Sequence, residues 1–297
     1  MESGTIPAET IPGALDLGAT LESGQSYFWN RADGRMYDGE DSRGESPWYW
    51  TVHRDEVIRV RQSGGGVEWE STTDAEPALR DLLGLEDDLD AIIEATPSDE
   101  LIDAAYESYR GLRIVRDPFF PCLISFICSA QMRVARIFAM QTALREAYGE
   151  AIETDGETYH AFPTPAQLAA ASEADLRELK LGYRAPYVQR TAEMVADGEA
   201  DPADAEGLPY EEARKYLTQF VGVGEKVADC VLLFSLGYLE AVPLDTWIRS
   251  TIEEHFPECD RGSYAETSRA IRERLGGQYA GYSQTYLFHY LRNGGGD

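Results

Sequence analysis

Lys226 and Asp245 are the two residues whose types and surroundings point most directly to covalent chemistry. Lys226 follows Val221-Gly222-Val223-Gly224-Glu225, which lies between two segments of helical periodicity, 209–220 and 225–236. In the first, Ala213, Tyr216, Leu217 and Phe220 fall on one side. Two helices joined by Gly-x-Gly read as a helix–hairpin–helix, in which the glycines turn the chain tightly and approach a ligand closely. Free N–H groups at the start of the second helix suit a phosphate oxygen. Gly222, Val223 and Gly224 are therefore candidate contacts to a nucleic-acid backbone, of a kind that reads no sequence. An ordinary αα turn also contains glycine. The longer pattern Leu217-x-x-x-Val221-Gly222-Val223-Gly224-x-Lys226-x-Ala228-Asp229 is more specific.

A lysine in the first turn of a helix is badly placed for helix stability, because the positive end of the dipole repels it. The same repulsion favours the neutral amine, a nucleophile able to attack a sugar C1′ and form a Schiff base. Asp245 stands in Val242-Pro243-Leu244-Asp245-Thr246, at the predicted start of a helix over 245–256. Asp is a favoured N-cap, and a capped carboxylate can also face the hairpin. There it would stabilise an oxocarbenium-like sugar and help the lysine lose its proton.

The elements that must position these groups divide into two parts. Residues 14–72 predict β structure, with Trp48–His53, Glu56–Arg61 and Gly66–Glu70 as strands. Breaks fall at Asp38–Gly44 and Ser63–Gly66. From Asp74 the spacing is helical, with helices predicted over 74–85, 86–96, 118–129, 133–148, 165–179, 184–197, 209–220, 225–236, 245–256, 263–275 and 283–292. The expectation is an α+β protein: an antiparallel β domain over 1–88, then a mostly helical domain over 89–297.

Composition narrows the classes. The chain has 297 residues and is 43% hydrophobic, enough for a substantial core. It has no apolar run near the ~20 residues a membrane helix needs and no basic-then-apolar leader, so the expected address is the cytoplasm. Cys122, Cys128, Cys230 and Cys259 form no CxxC pair, and the four histidines form no HExxH. An iron–sulfur cluster, a zinc site and a disulfide framework are not expected. No cofactor is called for, although the hairpin is compatible with a monovalent cation.

Net charge is −27 with 53 acids, which alone argues against a polyanionic partner. A uniformly acidic surface also suits concentrated salt, where charge is screened, and that is the expectation here. Within this acidic chain, residues 110–145 carry Arg110, Arg113, Arg116, Arg133, Arg136 and Arg145 against Asp117 alone. Lys180, Arg184 and Arg190 form a second basic stretch. These islands are expected to mark where a polyanion touches.

At the hairpin and the following aspartate, the chain resembles the helix–hairpin–helix glycosylases with a Gly/Pro-rich loop and aspartate (HhH-GPD). Within them it is most similar to the eukaryotic-type 8-oxoguanine DNA glycosylase/AP lyases. The resemblance is strongest at Ser23-Gly24-Gln25-Ser26-Tyr27-Phe28-Trp29, at Phe126–Ser129 through Ile137, at Leu181-Gly182-Tyr183-Arg184-Ala185, and from Gly222 to Asp245. It implies a TBP-like antiparallel sheet beside helical subdomains, acting as a monomer on duplex DNA that contains an oxidised purine, with the damaged nucleotide flipped out of the stack. It further implies Lys226 as Schiff-base nucleophile and Asp245 as its partner. Gly24 would offer its carbonyl to the N7–H of the oxidised base. Cys230 and Phe288 would sandwich that base and Gln284 would read its Watson–Crick edge. Tyr183 would wedge into the gap, and Arg136 and Arg184, with Gln131, would meet the orphaned cytosine.

Two positions depart from the resemblance. Gln131-Met132-Arg133 replaces a run of asparagines, which puts the preference for cytosine opposite the lesion in doubt. Trp247 stands where a phosphate-binding histidine is usual, so that phosphate contact is expected to be lost or replaced; as concentrated salt weakens ionic contacts, stacking and dipole contacts are expected to carry more of the binding. Two other readings compete. A monofunctional alkyl-purine glycosylase would lack the lysine, and a non-catalytic hairpin clamp would lack the lysine or the aspartate.

Overall fold

A computed structural model describes residues 1–37 and 46–295; the break expected at 38–44 lies outside the described residues. The N-terminal sheet is antiparallel throughout. It comprises β1 (Glu2–Ile6), β2 (Asn30–Arg31), β3 (Tyr49–His53), β4 (Glu56–Ser63) and β5 (Gly66–Ser71), in the order β1-β5-β4-β3-β2. The β3–β4 turn is Arg54-Asp55 (φ 51° and 64°) and the β4–β5 turn is Gly64-Gly65 (56° and 81°). Both central residues of each are left-handed, the geometry whose twist matches flanking strands.

The β expectation for 14–72 needs two corrections. β1 lies before it, and helix α1 (Leu17–Glu22) lies within it. β1 is recruited by pairing with β5, where Gly4 leaves room for the Trp69 ring; a Cβ there would meet it at 2.4 Å. α1 starts because the Asp16 carboxylate accepts from the Ala19 N–H at 2.8 Å, and it is held by burial of Leu17 and Leu21.

The helical body runs through α2 (Glu76–Leu82), α3 (Leu89–Ala95), α4 (Glu100–Ser108), α5 (Phe119–Cys128), α6 (Val134–Tyr148), α7 (Pro165–Ala170), α8 (Glu173–Glu178) and α9 (Ala185–Ala196). It continues with α10 (Tyr210–Leu217), α11 (Glu225–Phe234), α12 (Thr246–His255), α13 (Tyr264–Arg274) and α14 (Ala280–Arg292). The single helix predicted over 165–179 is two, because Ala171 is extended (ψ 136°) and Ser172 caps a new helix that starts at Glu173, accepting from the Asp175 N–H. α4, not predicted, begins at the Asp99 cap and packs on α14, with the Tyr106 and Tyr286 rings 4.4 Å apart. A further hairpin, β6 (Ala151–Thr154) and β7 (Glu157–His160), was also not anticipated. Its Tyr159 meets Trp50 edge-on at 4.9 Å and joins Val52 and Val57 against the sheet.

One apolar cluster reaches from Ile58, Val60 and Val67 of the sheet to α5, α11 and α14. α5 is buried at every residue from Cys122 to Cys128, as a helix apolar all round should be. α5 packs on α11 through Phe126 and Phe234, stacked at 5.6 Å. This contact sets the site, because α5 ends beside Ser129 and α11 begins beside Lys226. No helix among the described residues is long and apolar enough to cross a membrane.

Candidate active site

A cleft of about 670 Å³ opens between the Ser23–Gln25 turn, the end of α5, the start of α11, the loop before α12, and α14. Seven sequence-predicted residues line it together: Gly24, Gln131, Lys226, Cys230, Asp245, Gln284 and Phe288. They come from distant parts of the chain, and only packing of α5, α11 and α14 into one core brings them to one surface.

Lys226 lies in the first turn of α11, as the sequence predicted. Its Nζ donates to Ser129 Oγ at 2.9 Å and lies 5.5 Å from the centre of the Phe126 ring. Ser129 Oγ in turn donates to the Phe126 carbonyl at 2.7 Å. Ser129 is the functional neighbour that residue reasoning missed. Its hydroxyl has no signature in the Phe126–Ser129 segment, and no local spacing ties it to a lysine 97 positions away.

Asp245 caps α12 and accepts from the Ile248 N–H at 2.8 Å. Burial raises its carboxyl above the usual carboxylate range, opposed by the Ile248 and Trp247 amides and by the Lys226 charge. Cap and electrostatic partner are therefore compatible roles, as expected. Cys230 lies one turn along α11; burial pushes its thiol up to about 12, against the pull of Lys226.

On α14, Gln284 is buried and its Oε1 has no hydrogen-bond partner. A buried acceptor left bare costs free energy unless a ligand satisfies it. Phe288 is half-buried under the Arg292 guanidinium, 5.3 Å from its ring centre. Gly24 requires glycine: its φ is +94°, and a Cβ would meet Arg292 Nη1 at 2.9 Å and Val134 at 3.0 Å. Arg292 is fixed there by donating to the Ser23 and Glu22 carbonyls.

The remaining predicted contacts lie outside the cleft's lining. Gly222 turns with φ +85°, and Tyr187 packs where its side chain would be. Gly224, exposed, is the N-cap of α11. The expectation for Val223 is corrected: its N–H already donates to the Phe220 carbonyl at 3.1 Å, and its side chain is buried. Gly222 and Gly224 are the exposed residues of this loop, beside the first turn of α11. Tyr183 is 55% exposed, its ring 6.2 Å from that of Tyr187 and 4.3 Å from the Arg184 guanidinium.

The basic islands need the larger correction. Arg113 is fully buried among backbone carbonyls, Arg145 is buried against Tyr27 and Asn30, and Arg116 pairs with Asp87 at 2.6 Å. Arg110 pairs with Asp90, and Arg190 with Glu193 and Glu199. Arg184, expected to hold the orphaned base, is 3% exposed and donates to the Ala130 carbonyl. In this state it braces the Ala130–Arg133 loop rather than projecting from it. Arg133 and Arg136, with the exposed Gln131, are what the first island presents to solvent near the cleft. Arg113, Arg145 and Arg184 satisfy backbone carbonyls, and Arg110, Arg116 and Arg190 pair with acids, roles that charge counting cannot distinguish from anion binding. Arg249, which no motif singles out, is exposed and lines the cleft mouth beside the exposed Trp247.

Residues 124–276, more than half the chain, match the HhH-GPD superfamily of base excision DNA repair proteins. The chain belongs to that superfamily. Residues 9–123 match the N-terminal domain of 8-oxoguanine DNA glycosylase. Among HhH-GPD relatives, the probable N-glycosylase/DNA lyase of Methanothermobacter thermautotrophicus is 35% identical over 66% of this chain and 69% of its own. The N-glycosylase/DNA lyase of Arabidopsis thaliana is 28% identical over 95% of this chain and 79% of its own. The Clostridium acetobutylicum 8-oxoguanine glycosylase/lyase, solved with duplex DNA carrying cytosine opposite 8-oxoguanine, superposes with a TM-score of 0.81. It is 28% identical, with 94% and 92% of the two chains covered. The TBP-like sheet and helical body expected of this HhH-GPD chain are the architecture observed.

Proposed function

We propose that this HhH-GPD protein excises 8-oxoguanine from duplex DNA and then cleaves the strand as an AP lyase. The observation that carries this reading is one cleft lined by Lys226, Asp245 and the bare Gln284 acceptor together. The match to 8-oxoguanine glycosylase N-terminal domains over 9–123 supports the choice of base.

The residues divide the work. A flipped base enters between Cys230 and Phe288, and its Watson–Crick edge meets Gln284. The Gly24 carbonyl accepts from the N7–H of 8-oxoguanine; unmodified guanine would present a lone pair there, leaving both acceptors unpaired. Lys226 must give up a proton before it attacks; the departing base, which leaves with the bonding pair as an anion, takes it, so that Asp245 stays ionised. As the C1′–N9 bond breaks, its electron pair leaves with the base and Asp245 stabilises the cationic sugar. The Lys226 nitrogen then bonds to C1′, the C1′–O4′ bond breaks as a proton passes from that nitrogen to O4′, leaving a Schiff base, and Asp245 takes the C2′ proton as the electron pair shifts to expel the 3′-phosphate. Every group needed comes from one chain, so a monomer suffices.

The test is single-turnover base release from duplexes containing 8-oxoguanine, unmodified guanine or 3-methyladenine, with borohydride added to trap the Schiff base. Release and trapping confined to 8-oxoguanine are expected. Release of 3-methyladenine without an adduct would instead place the chain with alkyl-purine glycosylases.

The acidic composition and Trp247 lead to a second expectation. Tyr183, Tyr187 and Trp247 are, with Met1, the exposed large hydrophobic side chains among the described residues. Two of them border the hairpin and one lines the cleft mouth. With few free cations nearby, binding should release few counterions. The slope of log K against log salt is expected to be shallower than about −3. A slope near −6, measured by anisotropy, would show that ionic phosphate contacts dominate after all.

A further inference from the structure

A buried carboxylate outside the cleft ties the nucleophile's helix to the loop that carries Asp245. Asp229 is fully buried on α11, three residues after Lys226. Its Oδ1 accepts from the Tyr210 hydroxyl of α10 at 2.7 Å, and its Oδ2 from the Tyr264 hydroxyl of α13 at 2.8 Å. Arg214 Nη1 lies 3.7 Å from Oδ2. The Tyr264 hydroxyl has a second task, accepting from the Leu244 N–H at 3.1 Å, and Leu244 immediately precedes Asp245.

A two-bond bridge therefore runs from the helix that bears Lys226 to the backbone that bears Asp245. The loop needs such a tie. Pro243 has no N–H to donate, and the Asp245 N–H is used locally on the Pro243 carbonyl at 2.9 Å. The Asp245 cap fixes its carboxylate to α12 but not to α11. Placing the carboxylate relative to the lysine falls to contacts between α11 and the loop, and the Tyr264 hydroxyl is a directional one.

We propose that Asp229, acting through Tyr264, is a positioning residue that holds Asp245 in register with Lys226. It touches no substrate. A displacement of about 1 Å in such a pair can cost up to 10²-fold in rate, so the bridge matters although it lies behind the cleft. A buried carboxylate shared by three helices would also exist for stability alone, and the test must separate the two roles.

This inference rests on the lyase reading, so the assay uses a duplex with a preformed abasic site, which needs Lys226 and Asp245 but not the base pocket. Loss of 8-oxoguanine specificity would overturn the reading of substrate while leaving this test intact. Tyr264→Phe keeps the ring and leaves Tyr210 on Asp229, removing only the bridge. It is expected to slow borohydride trapping about 10-fold, with the dissociation constant for the abasic duplex changed less than 2-fold. Asp229→Asn should slow trapping similarly. The double variant should be no slower than the slower single one, since both cut the same connection. Wild-type trapping by Tyr264→Phe would overturn the proposal. So would rate losses that multiply in the double variant, or losses that vanish on cooling in step with recovered folding measured by circular dichroism.

Discussion

Lys226→Gln abolishes the covalent adduct with damaged DNA and slows base release by at least about 10³-fold, while DNA binding stays within a few-fold of wild type. The side-chain amide can still donate to Ser129 Oγ, 2.9 Å from the native nitrogen, so the end of α5 and the cleft wall keep their contacts. What is lost is the lone pair that bonds to C1′, and with it the Schiff base and the strand cleavage that depends on it. The measurement is borohydride trapping beside single-turnover base release and anisotropy on the same duplex. An adduct formed within 10-fold of the wild-type rate would require another amine as nucleophile. Base release at the wild-type rate without an adduct would mean that water attacks and that Asp245 suffices.

The second large effect is on folding. Arg113→Leu is expected to destabilise the protein by roughly 4 kcal/mol, which lowers the melting temperature by about 8–16 °C. Arg113 is fully buried and donates to four backbone carbonyls: Ala14 at 3.1 Å, Gly84 at 2.9 Å, Asp87 at 3.0 Å and Pro12 at 2.6 Å. Each carbonyl left bare costs ~1–3 kcal/mol, partly offset because a buried charge disappears with the guanidinium. Burial also pulls that guanidinium's pKa down, a direct sign of the desolvation it bears. The Arg113 carbonyl meanwhile accepts from Gln25 Nε2 at 2.7 Å, so the substitution should loosen the Ser23–Gln25 turn that forms one wall of the cleft. A melting curve by circular dichroism checks this; a shift under 2 °C would show that water or a rearranged chain replaces the guanidinium without cost.

Arg113 also shows where charge counting stops being informative. In the sequence it is one of six arginines in a sparsely acidic stretch, and with them it suggested a polyanion surface. In the fold, Arg113 and Arg145 satisfy buried carbonyls, Arg116 meets Asp87, and Arg133 and Arg136 stay exposed near the cleft. A charge count carries no burial, and burial decides whether an arginine serves the core or a ligand. The same limit applies to Val223, whose amide is spent inside the hairpin, and to Arg184, which is turned onto the Ala130 carbonyl.

Local signals were otherwise strong. The Gly-x-Gly turn, the lysine at the start of α11 and the aspartate cap of α12 were legible because they depend on neighbours within four residues: positive φ, a free first turn, a carboxylate reaching the third amide. The sequence by itself thus determined the helical hairpin, the places of Lys226 and Asp245 at the starts of α11 and α12, and the α+β order of elements. Tertiary structure alone decided what surrounds them: the Ser129 hydroxyl on Lys226, the Tyr264 bridge to Asp229, β1 closing the sheet, and the bare Gln284 acceptor. Those contacts join residues up to 97 positions apart for the lysine and 35 for the bridge. They exist because burying α5, α11 and α14 in one apolar core leaves each polar group near it only a partner from elsewhere in the chain, and no local pattern records which one that is.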